Sequence, residues 1–224
     1  MLIRAIKVVG IDISPHMVPP ERPPNLDLQV DDLNQRLTFS ANYFDLVHSQ
    51  LMLGGIHRNR WRGYLRDIHR VLRPGGWCQM AEIYFNAQSD NGTLTHNHAL
   101  RRWSQAFLQS LEPSKDPRVP LQLEALMRHA GFVDVESRLL PLPLCGWSTD
   151  PRERDIGMAN QANVHRMLSA LAVYPFTQFL RMSMTDVQLL VAQARAEADN
   201  PAFKAYFPVY VVFCLSAIEA TTFL

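Results

Sequence analysis

The sequence is poor in lysine and has no long hydrophobic run. Its only lysines are Lys7, Lys115 and Lys204, so arginine supplies most of the positive charge, and the net charge is +1. This balance gives no basic footprint for nucleic acid or for an anionic membrane. No apolar run reaches the length of a membrane span, and the N-terminal segment is too short and too charged for a secretion signal. We therefore expect no nucleic-acid or membrane partner and a cytoplasmic protein, with a nuclear location also open.

Cysteine is scarce as well. Cys78, Cys145 and Cys214 are odd in number, far apart and set among apolar residues. They indicate buried thiols of a reducing compartment, and they exclude a disulfide framework or a cysteine metal site. His96 and His98 are two positions apart and do not share a helix face, so no metal site is predicted there.

One stretch, residues 65–83, organises the chain. Residues 65–72 carry apolar side chains at helical spacing. Pro74 cannot continue a helix, and the Gly-Gly pair at 75–76 favours a turn. Residues 77–83 then resemble a short buried strand that carries Glu82 near its end. This order of helix, turn and strand predicts one half of an α/β unit in a parallel sheet.

Two further predicted strands are followed by acids. Residues 6–13 form a β-branched run that ends around Asp12, and residues 26–30 alternate and are followed by Asp31 and Asp32. In nucleotide-binding α/β folds, an acid at such a strand end meets ribose hydroxyls. The alternative at both places is structural, because the same acids cap the turn that follows a strand.

The next predicted strand, residues 43–50, brings His48 and Ser49 to its end, and Tyr84 follows the strand at 77–83. Ligands of open α/β folds bind at the carboxyl ends of the strands, so these side chains are candidate pocket residues. His48 and Tyr84 are weak candidates for a catalytic role. For His48 the alternative is a hydrogen bond within its own loop.

The second half of the chain predicts further helices and strands. Residues 143–160 lack a clear pattern, and Thr185 is expected to cap a helix. The last predicted strand contains Pro208, which we place at its beginning because proline is awkward inside a sheet. The predicted helices are 94–111, 121–129, 160–171 and 185–198, and the predicted strands are 132–142 and 205–215.

Two motifs carry a family resemblance. Val-Gly-Ile-Asp-Ile-Ser-Pro at 9–15 and Arg-Val-Leu-Arg-Pro-Gly-Gly at 70–76 resemble motifs of class I S-adenosylmethionine-dependent methyltransferases. The match extends from about residue 6 to about residue 215. The segments LQVDDLNQRLTFSANYFDLVHSQ and LAVYPFTQFLRMSMTDVQLLVAQARAEADNPAFKAYFPVYVVF are similar to the LaeA-like methyltransferases of filamentous fungi.

The resemblance implies a Rossmann-like, doubly wound α/β sheet whose last strand is antiparallel and lies between the fifth and sixth strands. It implies S-adenosyl-L-methionine as cofactor, with Asp12 on the ribose and Asp31 near the adenine, beside Asp32. It places His48 and Ser49 near the methionine part of the cofactor and the substrate.

The sequence departs from the family at its first motif. No G-x-G-x-G pattern occurs anywhere, and the Gly-Gly pairs at 54–55 and 75–76 belong to other segments. That turn normally lets the backbone approach the cofactor. We therefore expect the first, central strand to be missing. The two inner sheet edges must then close on each other, pair with a protein partner or a second copy, or stay open.

These observations predict one methyltransferase-like domain over residues 1–224, with a helical cap-like insertion around 143–200. The first functional interpretation is methyl transfer to a small molecule in fungal secondary metabolism. The alternative is a non-methylating relative, which acts either as a regulatory partner or as a pocket protein for a cyclisation or isomerisation. A third possibility is a non-functional fragment that aggregates through its open edges.

Overall fold

The computed structural model describes residues 6–17, 19 and 21–217. Within them, α/β architecture is built from six strands, six α-helices and two short 3₁₀ turns. The strands are β1 Val8–Asp12, β2 Leu26–Val30, β3 Phe44–Gln50, β4 Leu72–Ile83, β5 Phe132–Pro143 and β6 Tyr206–Ser216. The helices are α1 Trp61–Val71, α2 Ala99–Leu111, α3 Val119–His129, α4 Pro151–Ala170, α5 Val173–Gln178 and α6 Met184–Ala198.

The strands form two separate sheets. β1 and β2 pair in parallel, with Asp12 beside Val30 in the register. The other sheet has the order β3-β4-β6-β5, in which β3 and β4 are parallel and β6 runs antiparallel to both of its neighbours. β4 and β5 correspond to the family's fifth and sixth strands, so the prediction of a last, antiparallel strand between them agrees with the structure. Pro208 lies near the start of β6, as expected.

No ladder connects the two sheets in the described part of the chain. Among the described strands, β1 pairs with β2 alone and β3 with β4 alone, so β1 and β3 each keep one edge without a described strand partner. The absence of a central strand stays a prediction.

The first hydrophobic core lies between the four-stranded sheet and helices α1 and α3. Alternate residues of β4 point into it, because side chains alternate across a strand. Cys78 and Met80 are fully buried there, whereas their neighbour Trp77 is 54% exposed on the opposite face. Leu65 and Ile68, the predicted apolar stripe of α1, are also fully buried.

The second core belongs to the helices of the second half of the chain. Trp103 of α2, Phe176 of α5 and Val187 of α6 are fully buried and pack with Phe207 of β6. The Trp103 indole donates a hydrogen bond to the Leu168 carbonyl at 2.9 Å. The helices around 143–200 thus share a core with α2, and their service as a cap over a substrate stays a prediction.

Three local expectations were wrong. The segment 143–160 is not irregular, because α4 begins at Pro151 and Asp150 caps it by accepting the Glu153 amide hydrogen at 3.0 Å. The cap of α6 is Ser183 rather than Thr185, which lies in the first turn. No separate turn follows α1, since β4 starts at Leu72 and the Pro-Gly-Gly segment forms an irregularity in its pairing with β3.

Among the described residues, no helix combines the length and the apolarity that a membrane span requires.

Candidate functional site

The candidate acids lie at the carboxyl ends of the parallel strands. Asp12 ends β1, and Asp31 directly follows β2. The Asp31 amide donates a hydrogen bond to the Asp12 carbonyl at 3.1 Å, so the two strand ends are joined through the backbone. The structure therefore brings together the two acids that the resemblance assigned to the ribose and the adenine.

The Asp12 carboxylate is exposed and one of its oxygens already has a partner. Oδ1 accepts the Ser14 amide hydrogen at 2.7 Å, which fixes the side chain across the turn after β1. A carboxylate has about four lone-pair positions, so this bond leaves acceptor capacity for two hydroxyls. Asp12 thus bonds across the turn that follows β1, and its contact with a ribose stays a prediction.

Asp32 connects the acids to the loop that follows β3. Its Oδ1 accepts two hydrogen bonds from Asn34, one from the backbone at 2.9 Å and one from the side chain at 3.0 Å. These bonds lower the pKa of the Asp32 carboxyl. Asn34 also donates to the Gly55 carbonyl at 3.1 Å and accepts the His57 amide hydrogen at 2.8 Å. Asp32 is therefore a structural anchor of this connection.

The end of β3 presents His48 and Ser49 in opposite directions. His48 is exposed and lies 3.2 Å from Gln50 Oε1 through its Nε2. Ser49 is buried and accepts a hydrogen bond from the Tyr64 hydroxyl at 3.0 Å. Burial raises the pKa of Tyr64 to about 12. The structure brings His48 to the open side of the edge and turns the Ser49 hydroxyl to the core, and the cofactor contact of each stays a prediction.

Glu82 is the buried acid of this edge. It is 0% exposed, and its two oxygens accept the amide hydrogens of Met52 and Leu53 at 2.7 and 3.1 Å. Burial raises the pKa of this carboxyl to about 7, and the two amide hydrogen bonds oppose that shift. The sequence showed an acid at a strand end but gave it no role. The signal was its position in β4, where every second residue faces the core.

Tyr84 follows β4 at the same edge and is half-buried. Its amide donates to the Pro208 carbonyl at 2.9 Å, which ties the segment to β6. Two residues further on, Asn86 accepts a hydrogen bond from Arg101 of α2 at 3.0 Å. Tyr84 therefore lies where α2 meets the sheet, on the far side of β4 from β3. Its catalytic role stays a prediction.

The chain is similar in sequence to known proteins. A family model described as "Methyltransferase domain" matches residues 2–80. The chain is 30% identical over 202 residues to the secondary metabolism regulator laeA of Monascus pilosus, which covers 89% of this chain and 54% of that protein. It is 28% identical to the protein-methionine methyltransferase laeA of Emericella nidulans, covering 89% and 53% respectively. The chain thus spans about half the length of the curated relatives it matches.

The fold has solved counterparts. Phosphoethanolamine N-methyltransferase 2 of Haemonchus contortus, in complex with phosphomonomethylethanolamine and S-adenosylhomocysteine, superposes with a TM-score of 0.54. The sequences are 17% identical, and the match covers 94% of this chain and 43% of that one. The predicted fold class is therefore confirmed. By its sequence the chain is similar to the laeA proteins of filamentous fungi and, over residues 2–80, to the methyltransferase-domain family, and its fold resembles that of a solved methyltransferase.

Proposed function

We propose that the chain carries the adenosine-binding edge of an S-adenosylmethionine-dependent methyltransferase of fungal secondary metabolism, with a small molecule as methyl acceptor. The single observation that carries this proposal is the joined pair of strand ends at Asp12 and Asp31. The exposed Asp12 carboxylate would accept the ribose hydroxyls, and Asp31 would accept the adenine amino group. We also propose that the protein acts in the cytoplasm or the nucleus.

The residues fit one half of the cofactor better than the other. The adenosine half has its two acids, whereas the sequence offers no glycine-rich turn for the methionine half. When bound, S-adenosylmethionine supplies a methyl group on a sulfonium, which an acceptor displaces in line. Such chemistry depends mainly on positioning, with a base needed only for an acidic acceptor. His48, exposed at the end of β3, is the candidate that would take that proton.

Affinity is the quantity that tests the proposal. A micromolar dissociation constant corresponds to about −8 kcal/mol, and each charge-assisted hydrogen bond contributes about 1.5–3 kcal/mol. Loss of two or three contacts at the methionine half would weaken binding to the millimolar range. Calorimetric titration of S-adenosylhomocysteine into the 224-residue chain should therefore give a dissociation constant in about the millimolar range if the adenosine edge is functional. An absence of binding heat from folded protein would contradict the proposal.

A second candidate function, association through the open sheet edge, is favoured by the exposed apolar residues of β3 and β4. Leu46 is 60% exposed and lies beside Trp77 in the register. An unpaired strand edge with apolar neighbours is a template for another strand. We propose that the partner of this edge is a second copy of the chain, because two β3 edges can pair antiparallel about a twofold axis. Sedimentation at increasing concentration tests this candidate, and a monomer throughout would contradict it.

A further inference from the structure

The loop at residues 51–57 connects the parts of the candidate site. It starts at the end of β3, where Leu51 has a left-handed backbone with φ of 57° and donates its amide hydrogen to the Ala81 carbonyl. Its side chains Leu53 and Ile56 are 2% and 1% exposed. At its far end, Asn34 holds Gly55 and His57 from the loop after β2. A shift of this loop would therefore move both β3 and the Asp31–Asp32 segment.

Glu82 holds the near end of this loop. One carboxylate oxygen accepts the Met52 amide hydrogen and the other accepts the Leu53 amide hydrogen. The carboxylate is fully buried, and it forms no ion pair within the described part of the chain. Two backbone amides are thus the partners that satisfy this buried charge.

A proton on this carboxylate would change the hydrogen bonding. A protonated carboxyl is a donor at its hydroxyl oxygen, and its oxygens are weaker acceptors than those of a carboxylate. The hydrogen bonds from the two amides would then be weaker, and most so at the protonated oxygen. Because burial also raises the pKa of Glu82 to about 7, this change falls within the physiological range.

Other ionisable groups lie on the elements that pack against Glu82 or hold its loop. Tyr64 lies on α1, and Tyr210 of β6 is the register partner of Glu82. Burial raises the pKa of both phenols above their ordinary value, so both stay neutral. Asp32 has a lowered pKa and stays ionised. Lys115 donates to the Gly55 carbonyl, and its Nζ lies 3.5 Å from His57 Nδ1. His57 belongs to the 51–57 loop itself, so the experiment includes a variant of this residue.

We infer that Glu82 is a positioning residue of the cofactor edge, whose ionised carboxylate holds the 51–57 loop and whose protonation loosens it. The inference rests on the proposed function only where it connects the loop to the cofactor. The anchoring itself can be measured without any ligand.

The first experiment follows the amide resonances of Met52 and Leu53 in the isotope-labelled chain as the pH is varied. We expect both to shift with one midpoint, at about 7. Glu82→Gln should abolish that titration, and His57→Gln should leave it. Glu197→Gln is the matched control, because the Glu197 carboxylate accepts the amide hydrogens of Ala99 and Leu100 in the same way at the start of α2.

The amide titration decides whether Glu82 anchors the 51–57 loop. Amides that do not titrate, or that titrate unchanged in Glu82→Gln, overturn the anchoring. If Glu82→Gln fails to fold, the wild-type chain decides, since the side-chain carboxyl carbon of Glu82 must then share the midpoint of the two amides.

The second experiment measures the affinity for S-adenosylhomocysteine at about pH 6 and about pH 8. If only the ionised form holds the loop, affinity should fall up to about tenfold at the lower pH, since one pKa unit is a tenfold change in population. Glu82→Gln should show no such dependence. Equal wild-type affinities at both pH values overturn the connection to the cofactor. An absence of binding at both overturns the proposed function and this connection together, whereas the amide titration still decides the anchoring.

Discussion

At the scale of single residues, the exposed Asp12 carboxylate is the most direct test of the ribose assignment. Asp12→Ala removes the acceptor of both hydroxyls, and we expect at least about tenfold weaker binding of S-adenosylhomocysteine, since tenfold corresponds to about 1.4 kcal/mol. Asp27→Ala is the control, because Asp27 lies on the neighbouring strand β2 and bonds to Gln29 instead. Calorimetry measures both variants. An affinity that Asp12→Ala leaves unchanged would remove Asp12 from the ribose site.

Glu82 also makes the stability of the fold depend on pH. Its pKa is raised from 4.5 to about 7 in the folded chain, so the folded state binds the proton more tightly than the unfolded state does. This group therefore stabilises the fold most below the unfolded pKa, and its contribution is lost as the pH rises through the folded pKa. The shift corresponds to about 3 kcal/mol at 1.36 kcal/mol per pKa unit.

We expect Glu82→Gln to remove most of this dependence, because an amide does not titrate. Urea unfolding at about pH 5 and about pH 8 measures the change for each variant. Glu197→Gln should retain the wild-type dependence. An equal change of stability between the two pH values in Glu82→Gln and in Glu197→Gln would contradict the prediction. The proton that loosens the loop thus also relieves the cost of burying a charge.

Sequence patterns could find Asp12 and Asp31 because both follow short β-branched or alternating runs, which are local signals. They could not find the role of Glu82, because its partners Met52 and Leu53 come from a loop 29 to 30 positions earlier in the chain. Nor could they show that the Ser49 hydroxyl faces the core, since that direction depends on its contact with Tyr64 of α1.

At the scale of elements, the start of α4 is the feature that sequence periodicity missed. Asp150, Pro151 and Glu153 form a start signal, with a capping acid, proline in the first turn and an acid three positions after the cap. The apolar spacing that follows is weak, because only Gly157, Val164 and Leu168 of this 20-residue helix are buried. The capping signal was therefore the better guide than periodicity.

Asp150→Ala should lower the free energy of unfolding by about 1 kcal/mol, because it removes the acceptor of the Glu153 amide hydrogen. Asp155→Ala changes an exposed acid of the same helix and serves as the matched control. Urea denaturation of the two variants measures the difference. Equal stabilities would show that the cap contributes nothing to α4.

At the scale of the whole molecule, the separation of the two sheets leaves the edge of β3 available for contact with a second copy. Leu46→Lys places a charge on the open edge of β3, where the side chain is 60% exposed, so the substitution should preserve the fold. If two copies associate through this edge, the variant should sediment as a monomer at concentrations where the wild type is a dimer.

Leu121→Lys provides the comparison, since it makes the same change at an exposed leucine of α3. It should sediment like the wild type. A Leu46→Lys variant that still dimerises would move the contact away from β3.

The order of the strands was predictable from the family resemblance. That order also determines when each strand can pair while the chain is being synthesised. Among the described strands, β5 pairs with β6 alone, and β4 is joined to β5 only through β6. While the chain leaves the ribosome, residues 132–143 therefore have no strand to pair with until residues 206–216 have been made. A domain generally folds as a unit during translation. This sheet must wait for its last strand, and we expect the nascent chain to depend on chaperones during that interval.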